Sequence, residues 1–315
     1  MADGKWIPGL TAETPVAEAA RAVLAARFEV VRHFLPLAVE KPYEDTEYVH
    51  QLRVGTRRAG AALRVFRDHL PRKQLKAAKL SLRVIRRASG DARDWDVFLA
   101  GLPGAKPFAT AGGKPALDYL VGYAMGERSA AQARLVAAWE TAGPGFVETS
   151  TALPAAAHPP GDDAPKDFGD LAAVQFGRLL REFDDAVKEN PTEPAALHQL
   201  RIRGKRARYA LEIFADCFPP QFKDAIYPAV ESAQETLGEV QDAAVALRHL
   251  AALRDRVKAV VPREWPRLRR GFEGLTRVLR AKVPAGRKAF RDWRKGWAKL
   301  MDGLQLEVAA ATVVA

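Results

Sequence analysis

VHQLRVGTRRAGAALRVFRDHLP, residues 49–71, is repeated later in the chain as LHQLRIRGKRARYALEIFADCFP, residues 197–219. Eleven of these 23 positions are identical, including the His-Gln-Leu-Arg run near the start of each copy. The same offset of 148 residues aligns residues 28–102 with residues 176–250 without a gap. The chain therefore contains two copies of one structural unit, and this duplication determines its architecture.

Apolar residues recur with helical spacing along most of the sequence, and no segment alternates with the period of two that a strand needs. We therefore predict an all-α fold built from the two repeated units. Gly90 is expected to end the third helix, which spans residues 72–89, before a shorter helix at 91–102. The helices predicted for the second unit are 168–189, 195–216, 222–236, 239–260, 264–282 and 285–304.

The segment at residues 143–166 contains five prolines and no periodic pattern. Such a composition is typical of a connector rather than of a packed element. We predict that it joins a first unit at residues 14–142 to a second unit at residues 167–304, and that the two units together form one domain.

The overall composition indicates an anionic partner. The formal net charge is +11 and the isoelectric point is about 9.8, which suits nucleic acid, an acidic membrane surface or a polyphosphorylated molecule. The single cysteine, Cys217, excludes an intramolecular disulfide and a cysteine-based zinc site. The first residues lack the apolar core of a signal peptide, and no apolar run is long enough to enter a membrane. We expect a soluble, cytoplasmic protein.

Positive charge is concentrated in two places. Residues 50–93 contain 13 Lys and Arg against two acids, and residues 263–299 contain 13 against three. An ordinary surface helix mixes signs to gain i,i+4 pairs, so this density favours a ligand over a merely solvated face. The sequence alone does not tell whether the second concentration joins the first.

Projected at 100° per residue, both copies place a basic stripe nearly opposite an apolar face. The stripes comprise His50, Arg53, Arg57, Arg64 and Arg67 in the first copy, and His198, Arg201, Lys205 and Arg208 in the second. Arg58 and its copy Arg206 lie off the stripes, a recurrence that suggests a specific contact. The third helix has a similar basic face that includes Lys79, Arg83 and Arg86. Because arginine can hold two phosphate oxygens at once, these faces favour a phosphate ligand.

The paired histidines allow four interpretations, of which a phosphoryl-acceptor role is the least favoured. The favoured one is a ligand contact, in which the imidazole gains a proton when phosphate arrives. A metal site with carboxylates such as Glu47 is disfavoured because the counterpart of Glu47 is Ala195. A local structural role at the helix start is the third possibility.

No set of residues suggests catalysis. Asp94 and Asp96 form a possible carboxylate pair, but only Asp94 has an acidic counterpart, Asp242, so a salt-bridge or capping role is expected. The phosphate-binding GxxxxGK[ST] loop is missing. Single-strand nucleic-acid binding would need aromatics among the basic residues, and only Tyr209 comes near, where we expect it to pack at the edge of the stripe.

The segments HQLRVGTRR and HQLRIRGKRARYALEIF, together with GDARDWDVFL and its weaker copy GEVQDAAVAL, resemble the conserved-histidine α-helical domain, or CHAD, family. The resemblance covers nearly the whole chain. It implies two four-helix units related by a pseudo-twofold axis, with basic helices around a central groove or pore. The family is associated with inorganic polyphosphate and with polyphosphate granules. Many members also carry a triphosphate-tunnel domain with a Glu-x-Glu-x-Lys strand. That motif is missing here, so its hydrolase activity is not carried over.

Taken together, the stripes and the resemblance predict a non-enzymatic polyphosphate-binding domain with no cofactor and no metal. The predicted ligand-binding residues are His50, Arg53, Arg57, Arg58, Lys79, Arg83, Arg86, His198, Arg201, Lys205, Arg206 and Arg208. Two alternatives stay open: a basic protein associated with nucleic acid, and an enzyme acting on polyphosphate. Sequence-specific nucleic-acid binding and membrane insertion are not expected, and the oligomeric state is not fixed by the sequence. Arg128 and Arg134 are expected to be exposed and uninvolved.

Overall fold

The computed structural model describes residues 5–159 and 165–314, and the side chains of these residues up to Leu304. Within these ranges the chain forms eight α-helices and no strand, which confirms the all-α prediction. The first four helices are α1 (Val16–Glu40), α2 (Glu47–Val65), α3 (Arg72–Ala100) and α4 (Lys114–Ala155). The second four are α5 (Phe168–Lys188), α6 (Pro194–Phe214), α7 (Tyr227–Val260) and α8 (Trp265–Val314).

Each half is built from neighbouring helices that pack in sequence order. In the first half α1 packs on α2 and α4, and α3 packs on α2 and α4. In the second half α5 packs on α6, α6 on α7 and α7 on α8. The halves meet where α2 packs against α6, where α4 packs against α8 and where α1 approaches α5. The repeated segment thus forms the helices that lie at the contact between the halves.

One continuous apolar core links the two halves. Phe66 and Phe214, which are identical in the repeat, are fully buried. Both pack against Phe168, at ring-centroid distances of 6.2 and 5.0 Å. Burying a side chain of this size contributes about 1.5–3 kcal/mol, so the contact holds the halves together. No helix in the described part of the chain has the length and the apolar character needed to cross a lipid bilayer.

The predicted helix breaks at glycine and proline were wrong. α3 continues through Gly90, α7 continues through Gly238, and α8 continues through Pro284. Glycine costs a helix interior only about 1 kcal/mol relative to alanine, and tertiary packing supplies more than that. At Gly90 the missing side chain makes room for Arg53 from another helix.

The predicted connector is also shorter than expected, because α4 extends to Ala155 with Pro144 and Pro154 inside it. Phe146 and Leu153 in this stretch are fully buried, and Phe146 packs edge-on against Phe28 of α1 at 5.9 Å. These apolar positions recur every seven residues, but the prolines and the buried Ser150 hide the pattern. Residues 160–164 of the predicted connector lie outside the described residues.

Close helix crossing joins α8 to the first half. A Cβ atom at Gly271 would lie 2.4 Å from the Cβ of Ala116, and one at Gly274 would lie 2.7 Å from the Cβ of Pro107. Only glycine permits so close an approach. α8 is also tied to α5, because the indole of Trp297 donates a hydrogen bond to the buried carboxylate of Asp184 at 2.9 Å.

Candidate functional site

The two basic stripes approach each other where α2 packs against α6. Lys205 of α6 is half-buried and belongs to no ion pair among the described residues. Its burial, together with repulsion by neighbouring arginines, lowers the pKa of its amine to about 6. Among these neighbouring arginines, Arg53 and Arg57 come from the first half, and Arg201 and Arg208 come from the second. Side chains of both halves therefore meet around one lysine.

Arg53 and Arg201 occupy equivalent positions in the two halves. The guanidinium of Arg53 crosses α3 so closely that a Cβ at Gly90 would lie 2.6 Å from its Nη1 atom. Arg201 crosses α7 in the same way at Gly238, where the nearest guanidinium nitrogen would be 3.5 Å from a Cβ. Burial and the repulsion of Arg57 lower the pKa of Arg53 to about 10. Each guanidinium thus lies beside a glycine of the neighbouring helix, and neither forms an ion pair with a described residue.

The weak attraction that these arginines receive comes from repeat-related carboxylates. Asp94 acts on Arg53, and Asp242 acts on Arg201. Burial raises the pKa of Asp94, and Arg53 opposes that rise. Both carboxylates line a cavity of about 300 Å³ between α3, α7 and α8, together with His249. Asp94 therefore attracts Arg53 electrostatically, but it forms no ion pair with a described residue and lies inside α3, so its predicted salt-bridge or capping role at a helix junction was wrong.

We call Arg53, Arg57, Arg86, Arg93, Arg201, Lys205 and Arg208 the basic cluster. Each of them perturbs, or is perturbed by, another member. Arg86 and Arg93 extend the cluster along α3, since both repel Arg53. Sequence analysis missed Arg93. Its position next to Asp94 in the weakly repeated segment was the available signal.

The two repeated histidines differ in their surroundings. His50 is half-buried, and burial followed by the charge of Arg93 lowers the pKa of its imidazole. His198 is exposed and borders a small cavity of about 80 Å³ with Arg201 and Arg287. The imidazole of His50 therefore belongs electrostatically to the basic cluster. Among the described residues, no group of three or more His, Cys, Asp and Glu side chains could hold a metal ion.

The basic face of α3 is open to solvent. Lys79, Arg83 and Arg86 are all exposed. Burial and the charges of Arg67 and Arg64 lower the pKa of Lys79. Lys79 and Arg86 thus both lie near enough to Arg64 on α2 to interact with its charge. Arg83 lies between them along α3.

Arg58 does not belong with the exposed cations, and here the predicted ligand contact is wrong. Its side chain is 8% exposed, and its Nε donates to Oε2 of the fully buried Glu212 at 2.7 Å. Tyr227 donates to the same carboxylate at 2.8 Å, and Arg27 lies 3.8 Å from it. Arg58 is committed to a buried ion network, because leaving Glu212 unpaired would cost several kcal/mol. The expected exposure of Arg128 is wrong for the same reason, since it is 3% exposed and pairs with Asp96 at 2.6 Å.

The remaining predicted cations of α6 face different partners. Arg206, the copy of Arg58, is exposed and faces Arg64 of α2. Arg208 is 16% exposed and pairs with Glu231 at 3.1 Å. Its guanidinium also lies 5.2 Å from the ring of Tyr209, which is buried. No base could stack on Tyr209.

A sequence profile of the CHAD domain matches residues 22–251, well over half of the chain. The chain belongs to the CHAD domain family. Its fold is similar to the crystal structure of the CHAD domain from the plant Ricinus communis, with 25% sequence identity, a TM-score of 0.69, and coverage of 92% of this chain and 95% of that one. It is also similar to PptA from Streptomyces chartreusis, with 19% identity, a TM-score of 0.67, and coverage of 90% of this chain and all of that one. No curated protein matches the sequence.

The match to the CHAD domain includes both repeated histidine–arginine helices. It ends at residue 251, so all of α8 and its basic residues lie beyond it. The basic cluster falls entirely inside the matched region, which makes it the candidate site of this CHAD domain.

Proposed function

We propose that this CHAD domain binds inorganic polyphosphate without acting on it chemically. The ligand would lie in a groove shared by α2, α3 and α6, and the two halves would present their cations about a pseudo-twofold axis. The reciprocal placement of Arg53 on Gly90 and of Arg201 on Gly238 supports that symmetry.

The observation that carries the proposal is the environment of Lys205. Seating a lysine among four arginines from two halves of the chain costs electrostatic free energy. An anionic ligand would recover that cost, and linear polyphosphate has no bases that need recognition. Arginine fits such a ligand because its planar fork bridges two phosphate oxygens.

Nucleic acid is the competing ligand, and the structure offers it less. Its bases need exposed aromatic faces or polar groups aimed at base edges. The basic cluster offers no exposed aromatic face for stacking, since the neighbouring Tyr209 is 4% exposed. Competition between long-chain polyphosphate and duplex DNA at ~0.15 M salt tests this point. Displacement of polyphosphate by DNA at equal charge concentration would favour the nucleic-acid function instead.

A charge-removal pair tests the site itself. Arg53→Gln with Arg201→Gln should weaken polyphosphate binding at least a hundredfold, since each loses a charge-assisted contact worth about 1.5–3 kcal/mol. The matched control is Arg134→Gln with Arg267→Gln, two arginines that are 52% and 69% exposed on other helices. Equal losses in both double variants would indicate diffuse attraction and not a site.

Two further experiments test enzymatic activity and cellular location. Incubation with polyphosphate and Mg²⁺ should leave the chain length unchanged, and released phosphate would make the protein an enzyme. In cells we expect the protein in the cytoplasm, at polyphosphate granules. A fluorescent fusion of the Arg53→Gln, Arg201→Gln variant should then lose any granule pattern that the wild-type fusion shows.

A further inference from the structure

The buried ion pair between Arg58 and Glu212 has a repeat-related counterpart that is repulsive instead of attractive. The repeat offset of 148 residues pairs Arg58 with Arg206, and Arg64 with Glu212. The contact that joins Arg58 of the first half to Glu212 of the second therefore returns as a contact between Arg206 and Arg64. In this second place two cations face each other where the first has a cation and an anion.

The first contact shows that an anion fits this geometry. The carboxylate of Glu212 receives hydrogen bonds from Arg58 at 2.7 Å and from Tyr227 at 2.8 Å. Its position between helices of both halves is thus a built anion site, filled by the protein itself.

The second contact has no such anion. Arg64 is exposed at this point, and partial desolvation, then the charge of Arg206, then that of Arg86, lower the pKa of its guanidinium. Neither Arg64 nor Arg206 has a hydrogen bond or an ion pair with any described residue. A Cβ at Gly60 would lie 3.8 Å from the guanidinium of Arg64, so no side chain one turn back supports it.

A cleft of about 450 Å³ opens at this point between α2, α5 and α6. Four arginines line it, Arg64, Arg67, Arg178 and Arg206, against the single carboxylate of Asp68. Asp68 is already paired with Arg67 at 3.0 Å. The volume is in the range of small-ligand sites, roughly 300–1,000 Å³. Gln175 of α5 donates to the carbonyl oxygen of Val65 at 2.9 Å and so fixes the wall of the cleft.

We propose that this cleft binds a phosphate-type oxyanion between Arg64 and Arg206, as a replacement for the carboxylate that Glu212 supplies in the other half. The anion could be a phosphate of a long polymer that continues past Arg86, or a small free compound such as pyrophosphate. The site requires only the two arginines and the cleft, and it does not depend on the proposed function.

The decisive variant is Arg64→Glu, which restores the carboxylate that the other half possesses. We expect it to melt at a higher temperature than the parent without ligand. In the Arg53→Gln, Arg201→Gln background, which disables the basic cluster, pyrophosphate should still bind and raise the melting temperature. Adding Arg64→Glu to that background should weaken pyrophosphate binding at least tenfold by calorimetry, and Arg206→Gln should do the same.

Arg267→Glu, on the exposed side of α8, is the control for the equal change in net charge and should leave pyrophosphate affinity unchanged. Unchanged pyrophosphate affinity in both Arg64→Glu and Arg206→Gln would overturn the inference. Long-chain polyphosphate then identifies the source of the anion. If the single variant Arg64→Glu binds the polymer more weakly than the wild type, the cleft is part of the polymer site. If its polymer binding is unchanged, the cleft binds a small phosphate compound. If the wild-type protein binds pyrophosphate in the cleft but no polymer, the proposed function fails and this inference stands.

Discussion

Arg53 lies over Gly90, where a Cβ atom would come within 2.6 Å of its Nη1 atom. The equivalent pair in the second half, Arg201 and Gly238, leaves 3.5 Å, an ordinary van der Waals distance. The arginine therefore leaves less space for an added side chain at Gly90 than it does at Gly238.

This difference predicts opposite outcomes for two alanine substitutions. Gly90→Ala should displace the guanidinium of Arg53 and weaken polyphosphate binding about tenfold, the size of one misplaced charge-assisted contact. Gly238→Ala should leave binding unchanged. Both should keep or raise the melting temperature, because alanine favours helix by about 1 kcal/mol and the displaced group is the end of a flexible side chain. Equal affinity in the two variants, measured by calorimetry, would contradict the assigned role of Arg53.

Lys205 predicts proton uptake on binding. Its pKa of about 6 in the free protein leaves the amine neutral at pH 7.5. A bound phosphate chain would raise that pKa, so binding should take up close to one proton and tighten as the pH falls from 8 towards 6. Calorimetry in buffers of different ionisation enthalpy measures the uptake. Lys205→Arg should abolish it, because arginine keeps its proton throughout this range.

The same lysine predicts the pH dependence of stability without ligand. Between pH 6 and the ordinary lysine range, the unfolded chain holds a proton that the folded state lacks. Stability should therefore rise with pH from about 6 upwards, and the slope should flatten below that pH. Urea unfolding of Lys205→Met should lack this contribution. A wild-type slope no steeper than that of Lys205→Met would show that the folded-state amine is not perturbed.

Glu212 predicts a large loss of stability. Glu212→Gln should destabilise the protein by roughly 3–5 kcal/mol, because it removes the buried negative charge that accepts from Arg58 and lies 3.8 Å from Arg27. Glu182→Gln removes an exposed partner of Arg178 and should cost about 1 kcal/mol or less. Urea unfolding measures both. Similar unfolding midpoints for the two variants would mean that the charge of Glu212 does not stabilise the buried ion network.

Salt dependence predicts how many cations take part. Seven side chains form the basic cluster, so polyphosphate affinity should fall about a thousandfold between 50 and 200 mM salt, as for polyanions that make six to ten contacts. The Arg53→Gln, Arg201→Gln variant should show a shallower slope in log affinity, by about 0.7 per lost contact. An unchanged slope would place the contacts elsewhere on the chain.

The fold could be predicted because the repeat is long and its apolar spacing is strong. Gly90 and Pro144 misled the prediction because tertiary packing outweighs their local preference for breaking a helix. A helical glycine costs about 1 kcal/mol and a helical proline about 3 kcal/mol, and near Pro144 the burial of Phe146 and Leu153, worth about 1.5–3 kcal/mol each, offsets that cost. Such compensation comes from other helices, and no local window contains it.

The candidate site was predicted less evenly. Helical projection separates core from surface, so it identified Arg53, Arg201 and Lys205. It could not separate Arg58 from Arg206, because both occupy the same angle on their helices. The signal that distinguishes them is the exchange of Arg64 for Glu212 between the copies, since in the structure this acid pairs with the buried Arg58.

The glycine crossing of α8 has a consequence for affinity. With Gly271 against Ala116 and Gly274 against Pro107, α8 holds the first half at a fixed distance from the second. We therefore expect the separation of α2 from α6 to be set before any ligand arrives, so that association would carry little entropic penalty for closing two lobes. Such preorganisation would let individually weak contacts add up to tight retention of a flexible chain.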